Sequence, residues 1–123
     1  MLVPISVLPD PYGINIWNTR EQLSKEMVSE CIRKGLVKKL PLLEDEDHTN
    51  HLLHAQRVAF FVTENWSDPV DVDIQFTPEK EPYSWILDGT HRVAAAMYML
   101  QDKVLCLYNE VLEQYLREMD VVN

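Results

Sequence analysis

The chain has 123 residues, 46% hydrophobic and 25% charged, with 20 acidic residues against 11 basic ones and a net charge of −9. That length and balance suit one soluble globular domain, residues 1–123, able to bury a core, and exclude a disordered or fibrous chain. The negative charge excludes a role in coating nucleic acid, because that binding is driven by Lys and Arg displacing counterions from phosphates, so extended nucleic-acid partners are not expected.

In chain order, residues 2–9 (LVPISVLP) alternate as an edge strand, with Pro4 and Pro9 withholding ladder donors. The first ten residues lack the basic cluster and apolar run of a secretory leader. No segment reaches the roughly 20 apolar residues of a membrane span. No membrane association and a cytoplasmic location are therefore expected. Residues 9–13 (PDPYG) are turn chemistry. Residues 18–35 read as a first helix: Thr19 and Gln22 form a capping-box pattern, Leu23, Met27, Cys31 and Ile32 share a face, and Gly35 stops it.

A loop with the acidic run LEDEDH leads to a second helix over 50–65, apolar through Leu52, Ala55, Ala59 and Val62 and widened by Phe60 and Phe61. Residues 66–69 (WSDP) break it. Residues 70–74 (VDVDI) form a strand with Val and Ile on one side and Asp71 and Asp73 on the other. Residues 84–87 (SWIL) are the next strand, 90–101 a third helix, 104–108 (VLCLY) a buried strand, and 109–120 an amphipathic helix. The order β-α-α-β-β-α-β-α predicts an α/β (α+β) domain, a small mixed sheet flanked by helices. Cys31 and Cys106 lie among apolar neighbours and are expected as buried free thiols in a reducing compartment.

The densest chemistry lies at residues 88–92, DGTHR, where a strand passes into a helix. Such a junction offers unpaired N–H groups and a positive dipole end, which favour an anion and phosphate above all. Gly89 permits a positive φ and close approach of a ligand. Thr90 can cap the helix or donate to a phosphate oxygen. His91 and Arg92 add charge-assisted donors, Arg92 as a planar fork. An acid beside an anion site, Asp88, suits a Mg²⁺ bridge or a base acting on a hydroxyl, or else bonds loop amides. The candidate catalytic residues are thus Asp88 and His91, the phosphate ligands Gly89, Thr90, His91 and Arg92, and the metal ligand Asp88.

The run ILDGTHRVAAAMY, followed by VLCLY and preceded by VPISVLP, resembles the ParB/sulfiredoxin-like superfamily, and residues 54–74 are similar to the middle of small ParB-like proteins of phages and bacteria. The resemblance spans about residues 2–108, with its specific part at 88–95. It implies that Gly89 is the family glycine, His91 and Arg92 its basic pair and Ala95 its small helix residue. It further implies a nucleotide- and phosphate-binding domain, either a Mg²⁺-dependent phosphohydrolase or phosphotransferase or, as the superfamily also contains proteins classed as nucleases, a ParB-like nuclease. Thr90 stands where sulfiredoxins carry their catalytic cysteine, and a hydroxyl cannot replace a thiolate, so sulfiredoxin activity is excluded. The glutamate and helix-turn-helix domain of partition proteins are absent as well.

His48, His51 and His54 fall three residues apart and raise a metal reading completed by Asp47 or His91. Alternatively they line the phosphate pocket with Arg57. Asp71 and Asp73 could join Asp88 around a hard cation. Trp66, Trp85 and Tyr83 could stack on a base, with Trp66 the better exposed, so Arg57, His54 and Trp66 are added as candidate pocket residues. The competing expectation is a non-catalytic acidic protein that binds a basic host protein.

Overall fold

The structure, a computed structural model, describes residues 1–64 and 68–119. It runs β1 (Leu2–Pro4), a 3-10 turn (Ile5–Val7), α1 (Lys25–Lys34), α2 (His51–Glu64), β2 (Asp71–Phe76), β3 (Pro82–Asp88), α3 (Thr90–Tyr98), β4 (Lys103–Leu105) and α4 (Glu110–Glu118). The fold class is α+β, in line with the order of elements in the sequence.

Two antiparallel ladders make up the strand layer. β1 pairs with β4, Val3 facing Val104, and β2 pairs with β3, Val72 facing Ile86. A parallel bridge between Val70 and Cys106 stitches them together, with Val70 N–H donating to Leu105 O and Leu107 N–H to Val70 O, both at 2.9 Å. The strand expected over 2–9 stops at Pro4, because the chain tightens into the 3-10 turn and Leu8 N–H bonds Ile5 O. The strand expected over 104–108 stops at Leu105. Cys106 is buried, but Leu107 and Tyr108 are exposed. β2 keeps its alternation, with Val72 and Ile74 buried and Asp71 and Asp73 half-buried on the other side.

The first helix begins seven residues later than the sequence pattern suggests. Ser24 is its N-cap, its hydroxyl accepting from Met27 N–H at 3.2 Å. Thr19 caps nothing: its hydroxyl donates to Glu21 O at 2.6 Å, and its backbone is clipped to Asn15. Gln22 donates to Pro11 O and Ile14 O instead. Loop carbonyls, two residues away for Thr19 and eight or eleven for Gln22, have taken both side chains of the apparent capping box. Gly35 does end the helix, at φ 68°.

α3 sits between two apolar clusters. One joins Val93 to Val3, Val70, Val72, Ile86, Cys106, Leu112 and Leu116, the strand side with α4. The other joins Ala94 and Ala95 to Val28, Cys31, Ala55, Val58, Ala59 and Phe61, the α1–α2 side. Alanines let α2 and α3 approach closely, and Tyr12 Oη donates to Ala94 O at 2.6 Å to close the remaining gap. Burial beside Asp10 pushes the Tyr12 phenol well above its usual range, so it remains a donor. Replacing Ala95, 2% exposed, by Leu should overpack this seam and cost about 1–3 kcal/mol in urea unfolding.

Candidate functional site

The turn from β3 into α3 is built around Gly89, the N-cap of α3, at φ 104° and ψ 19°. A Cβ there would lie 3.0 Å from Arg92 Nη2 and 3.1 Å from Val70 Cγ2, so both conformation and space call for glycine. The first intrahelical bond is Val93 N–H to Gly89 O at 3.0 Å. The N–H groups of Thr90, His91 and Arg92 precede it and have no intrahelical carbonyl. Thr90 makes no side-chain cap, which removes the capping role open to it in the sequence.

Over this turn lies a cavity of about 300 Å³ lined by Asp88, Gly89, His91 and Arg92 from the junction, His54, Arg57 and Phe61 from α2, and Trp17, Pro41, Leu42 and His48 from loops. α2 therefore packs over the motif and brings His54 and Arg57 to it. Thr90 does not line the cavity, and Trp66 lies outside the described residues.

His54 and His91 form a bonded pair, His54 Nδ1 to His91 Nε2 at 2.9 Å. His54 Nε2 reaches His48 O at 2.8 Å, and a carbonyl only accepts, so this nitrogen carries the proton. In the neutral ring His54 Nδ1 is then the acceptor, and His91 Nε2–H donates to it. His91 Nδ1 keeps its lone pair, with no hydrogen-bond partner among the described residues. Burial lowers the pKa of both rings. For His91 the shift is large, with His54, Arg57 and Arg92 adding to it. Both imidazoles are neutral near pH 7.

Trp17 stacks on both rings, with centroids 4.7 Å from His54 and 4.6 Å from His91. Its loop is held by the Asn15–Thr19 clip, with Asn18 at φ 53°, a conformation Asn tolerates well. The sequence reading missed Trp17. Only the Asn residues flanking it hinted at an ordered loop.

Two guanidiniums complete the wall. Arg92 donates to Pro69 O at 2.8 Å and meets Asp88 Oδ2 at 3.3 Å. Asp88 is otherwise exposed, and this ion pair removes most of the repulsion it would exert on an anion. Arg57 donates to Lys38 O and Lys39 O and lies 4.4 Å over the Phe61 ring. Burial and then the neighbouring Arg92 lower its pKa, and Asp88 opposes them.

The remaining candidates scatter. His51 turns to Glu21 Oε2 at 3.0 Å, His48 Nε2 donates to Leu43 O, and Asp47 pairs with Arg20 and Thr49. Both His54 nitrogens are engaged, so the H-x-x-H spacing builds no ligand set. Among the described residues no group of three His, Cys, Asp or Glu side chains is arranged to hold a metal ion. Asp71 faces Asp88 across the ladder and Asp73 faces Trp85, but neither lines the cavity. Tyr83 bonds Gln75. A Mg²⁺ ion would find one carboxylate here, Asp88, and most of its oxygen ligands would have to come from a bound phosphate and water.

Comparison of the chain with protein-family models, curated proteins and solved structures gave no match in any of the three.

Two outcomes follow from this geometry. Gly89→Ala should cost about 1–3 kcal/mol in chemical unfolding, from strained backbone and displaced Arg92. The histidine pair should also make stability depend on pH. Because the folded-state pKa values lie below the unfolded value of about 6.5, the unfolded chain binds more protons as pH drops, and stability must fall with it. Unfolding free energy should decline as pH is lowered from 7 through 6.5 and below, with a shallower slope in His54→Gln.

Proposed function

We propose that the cavity over the β3–α3 turn binds a small phosphorylated molecule, a nucleotide being the expected class, and that His91 acts as general base in its hydrolysis or in transfer of the phosphoryl group. The observation that carries this reading is the convergence of Arg57, Arg92 and the Gly89–His91 opening of α3 on one cavity, which Gly89, His91 and Arg92 line. Two cations that repel each other are brought together at a helix N-terminus, and a dianion relieves that repulsion. The cavity thus reverses locally the sign of a chain that is strongly acidic overall.

An adjoining cavity of about 390 Å³ shares Pro41, Arg57, Phe61, Asp88 and Arg92 and adds Lys39, Leu40, Phe60 and Asp68. Leu40, Pro41, Phe60 and Phe61 give this lobe apolar surface for the organic part of a phosphate ester, beside the charged Lys39 and Asp68.

The neutral His91 carries the catalytic half. Its Nδ1 can take a proton from water or an acceptor hydroxyl, while its Nε2–H bond to His54 holds the ring in one tautomer. A bound phosphate offsets the Arg57 and Arg92 charges that depress the His91 pKa, so the ligand itself makes the base stronger. Asp88 orients Arg92 and, with a phosphate-borne Mg²⁺, supplies one oxygen ligand. The similarity of the DGTHR run to ParB/sulfiredoxin-like phosphate turns supports the same reading. A purely acidic docking protein would leave the two guanidiniums unexplained, and a nuclease would need a basic track beyond the cavity, which a net charge of −9 opposes.

Thermal-shift and calorimetric titration with phosphate, pyrophosphate and a nucleotide panel, each with and without Mg²⁺, tests the binding. At least one ligand should stabilise the protein, and Arg57→Gln should weaken it about tenfold, the scale of one charge-assisted hydrogen bond. His91→Asn should keep binding but lower turnover by ~10²–10⁴-fold. No stabilisation by any phosphate would sink the proposal. Binding without turnover would restrict it to a receptor.

A further inference from the structure

β3 is the outer strand of its ladder: it pairs with β2 alone among the described residues. The hairpin fixes which way its backbone points. Thr77 N–H donates to Glu81 O at 2.9 Å, making 77 and 81 a hydrogen-bonded pair. In an antiparallel ladder bonded and non-bonded pairs alternate. Gln75–Tyr83 and Asp73–Trp85 are therefore bonded pairs, and Phe76–Pro82, Ile74–Ser84 and Val72–Ile86 are not. Pro82, which has no N–H, falls where none is needed. Ser84 and Ile86 consequently direct their N–H and C=O groups to the open edge, and among the described residues neither backbone has a partner there.

This edge carries few of the devices that protect one. No Lys interrupts residues 82–88, and Pro stands only at the first position. A bulge opposite the Asp71–Val72 step makes Leu87 the extra residue on β3 and turns both Leu87 and Asp88 outward. Leu87 is 58% exposed and Tyr83 38%, with half-buried Trp85 between them on the same face.

The geometry points to a second copy of this chain as the occupant, two β3 strands pairing antiparallel about a twofold axis at Trp85. In that register Ser84 of each copy exchanges both backbone bonds with Ile86 of the other, so the four outward groups of Ser84 and Ile86 on each edge are satisfied. The axis falls on a non-bonded pair, where side chains come closest, and sets Trp85 against Trp85. Leu87 meets Tyr83 of the second copy on each flank, and Asp88 meets Pro82, so no like charges face across the seam. An axis at Ser84 would instead oppose Ile86 to Pro82, which has no donor to return. The twofold closes the interface on itself and buries both edges, leaving no template for further chains. It also lays the 77–81 turn of the second copy beside the Asp88–Gly89 junction.

Sedimentation across a wide concentration range, with engineered thiols, tests this. The protein should sediment at twice its 14.4 kDa chain mass at high concentration. Leu87→Lys should return it to the monomer with an unchanged circular-dichroism spectrum, and Tyr83→Lys serves if that variant misfolds. Trp85→Cys should form an intermolecular disulfide on mild oxidation, while Gln75→Cys on the neighbouring strand should not; native Cys31 and Cys106 are buried. A chain that stays monomeric throughout, a dimer indifferent to both lysines, or cross-linking at Gln75→Cys rather than Trp85→Cys would overturn the proposal.

Discussion

The seating of α3 between two apolar clusters is the constraint on which everything else in the molecule rests. Val93 faces the strands and α4, Ala94 and Ala95 face α1 and α2, and all three are essentially without solvent contact. A helix gripped on both sides cannot rotate or slide without opening voids, and voids in close-packed interiors are costly. Its N-terminus is therefore held in place. Small side chains make this achievable: Ala stands where a larger residue would push α2 away, and α2 is the element that delivers His54 and Arg57.

Within that frame the cavity is an exercise in local sign reversal. Twenty acids and eleven bases make the chain strongly negative, yet one wall gathers two guanidiniums and a helix N-terminus, with one carboxylate already paired to Arg92. The histidines sit in the same field and answer it by remaining neutral. Trp17 shields them from water and strengthens that response, since removing solvent penalises the charged ring first. Each histidine then has one donor and one acceptor nitrogen, which the chain His48 O, His54, His91 orders in a single direction.

The strand layer is less robust than its composition suggests. Among the described residues one parallel bridge joins the two ladders, and β1 and β4 contribute three residues each. On this side of the domain, side chains converging on Val70, Val72, Cys106 and Leu112 back the short ladders with a buried cluster. The β2–β3 hairpin is the longest regular piece and the one with an open side, so its outer edge is where the fold is least complete.

Local pattern alone was enough for the α+β class, the DGTHR junction, the Gly35 stop and the alternation of β2, because each depends on neighbours a few residues away. It failed where distant groups compete. Gln22 looks like half of a capping box until the carbonyls of Pro11 and Ile14 claim it, and 104–108 looks like a full strand until its end meets only Val70 and leaves Leu107 and Tyr108 exposed. The DGTHR motif could be read directly, but its partners could not. His54 and Arg57 reach His91 and Arg92 through the packing of α2 on α3, and Trp17 reaches them from its clipped loop; no periodicity in the chain encodes contacts across 34 or more residues. Which residues carry the chemistry is written locally; which of them share a cavity is decided by tertiary packing, because the burial that sets their charge states exists only once the two clusters have closed around α3.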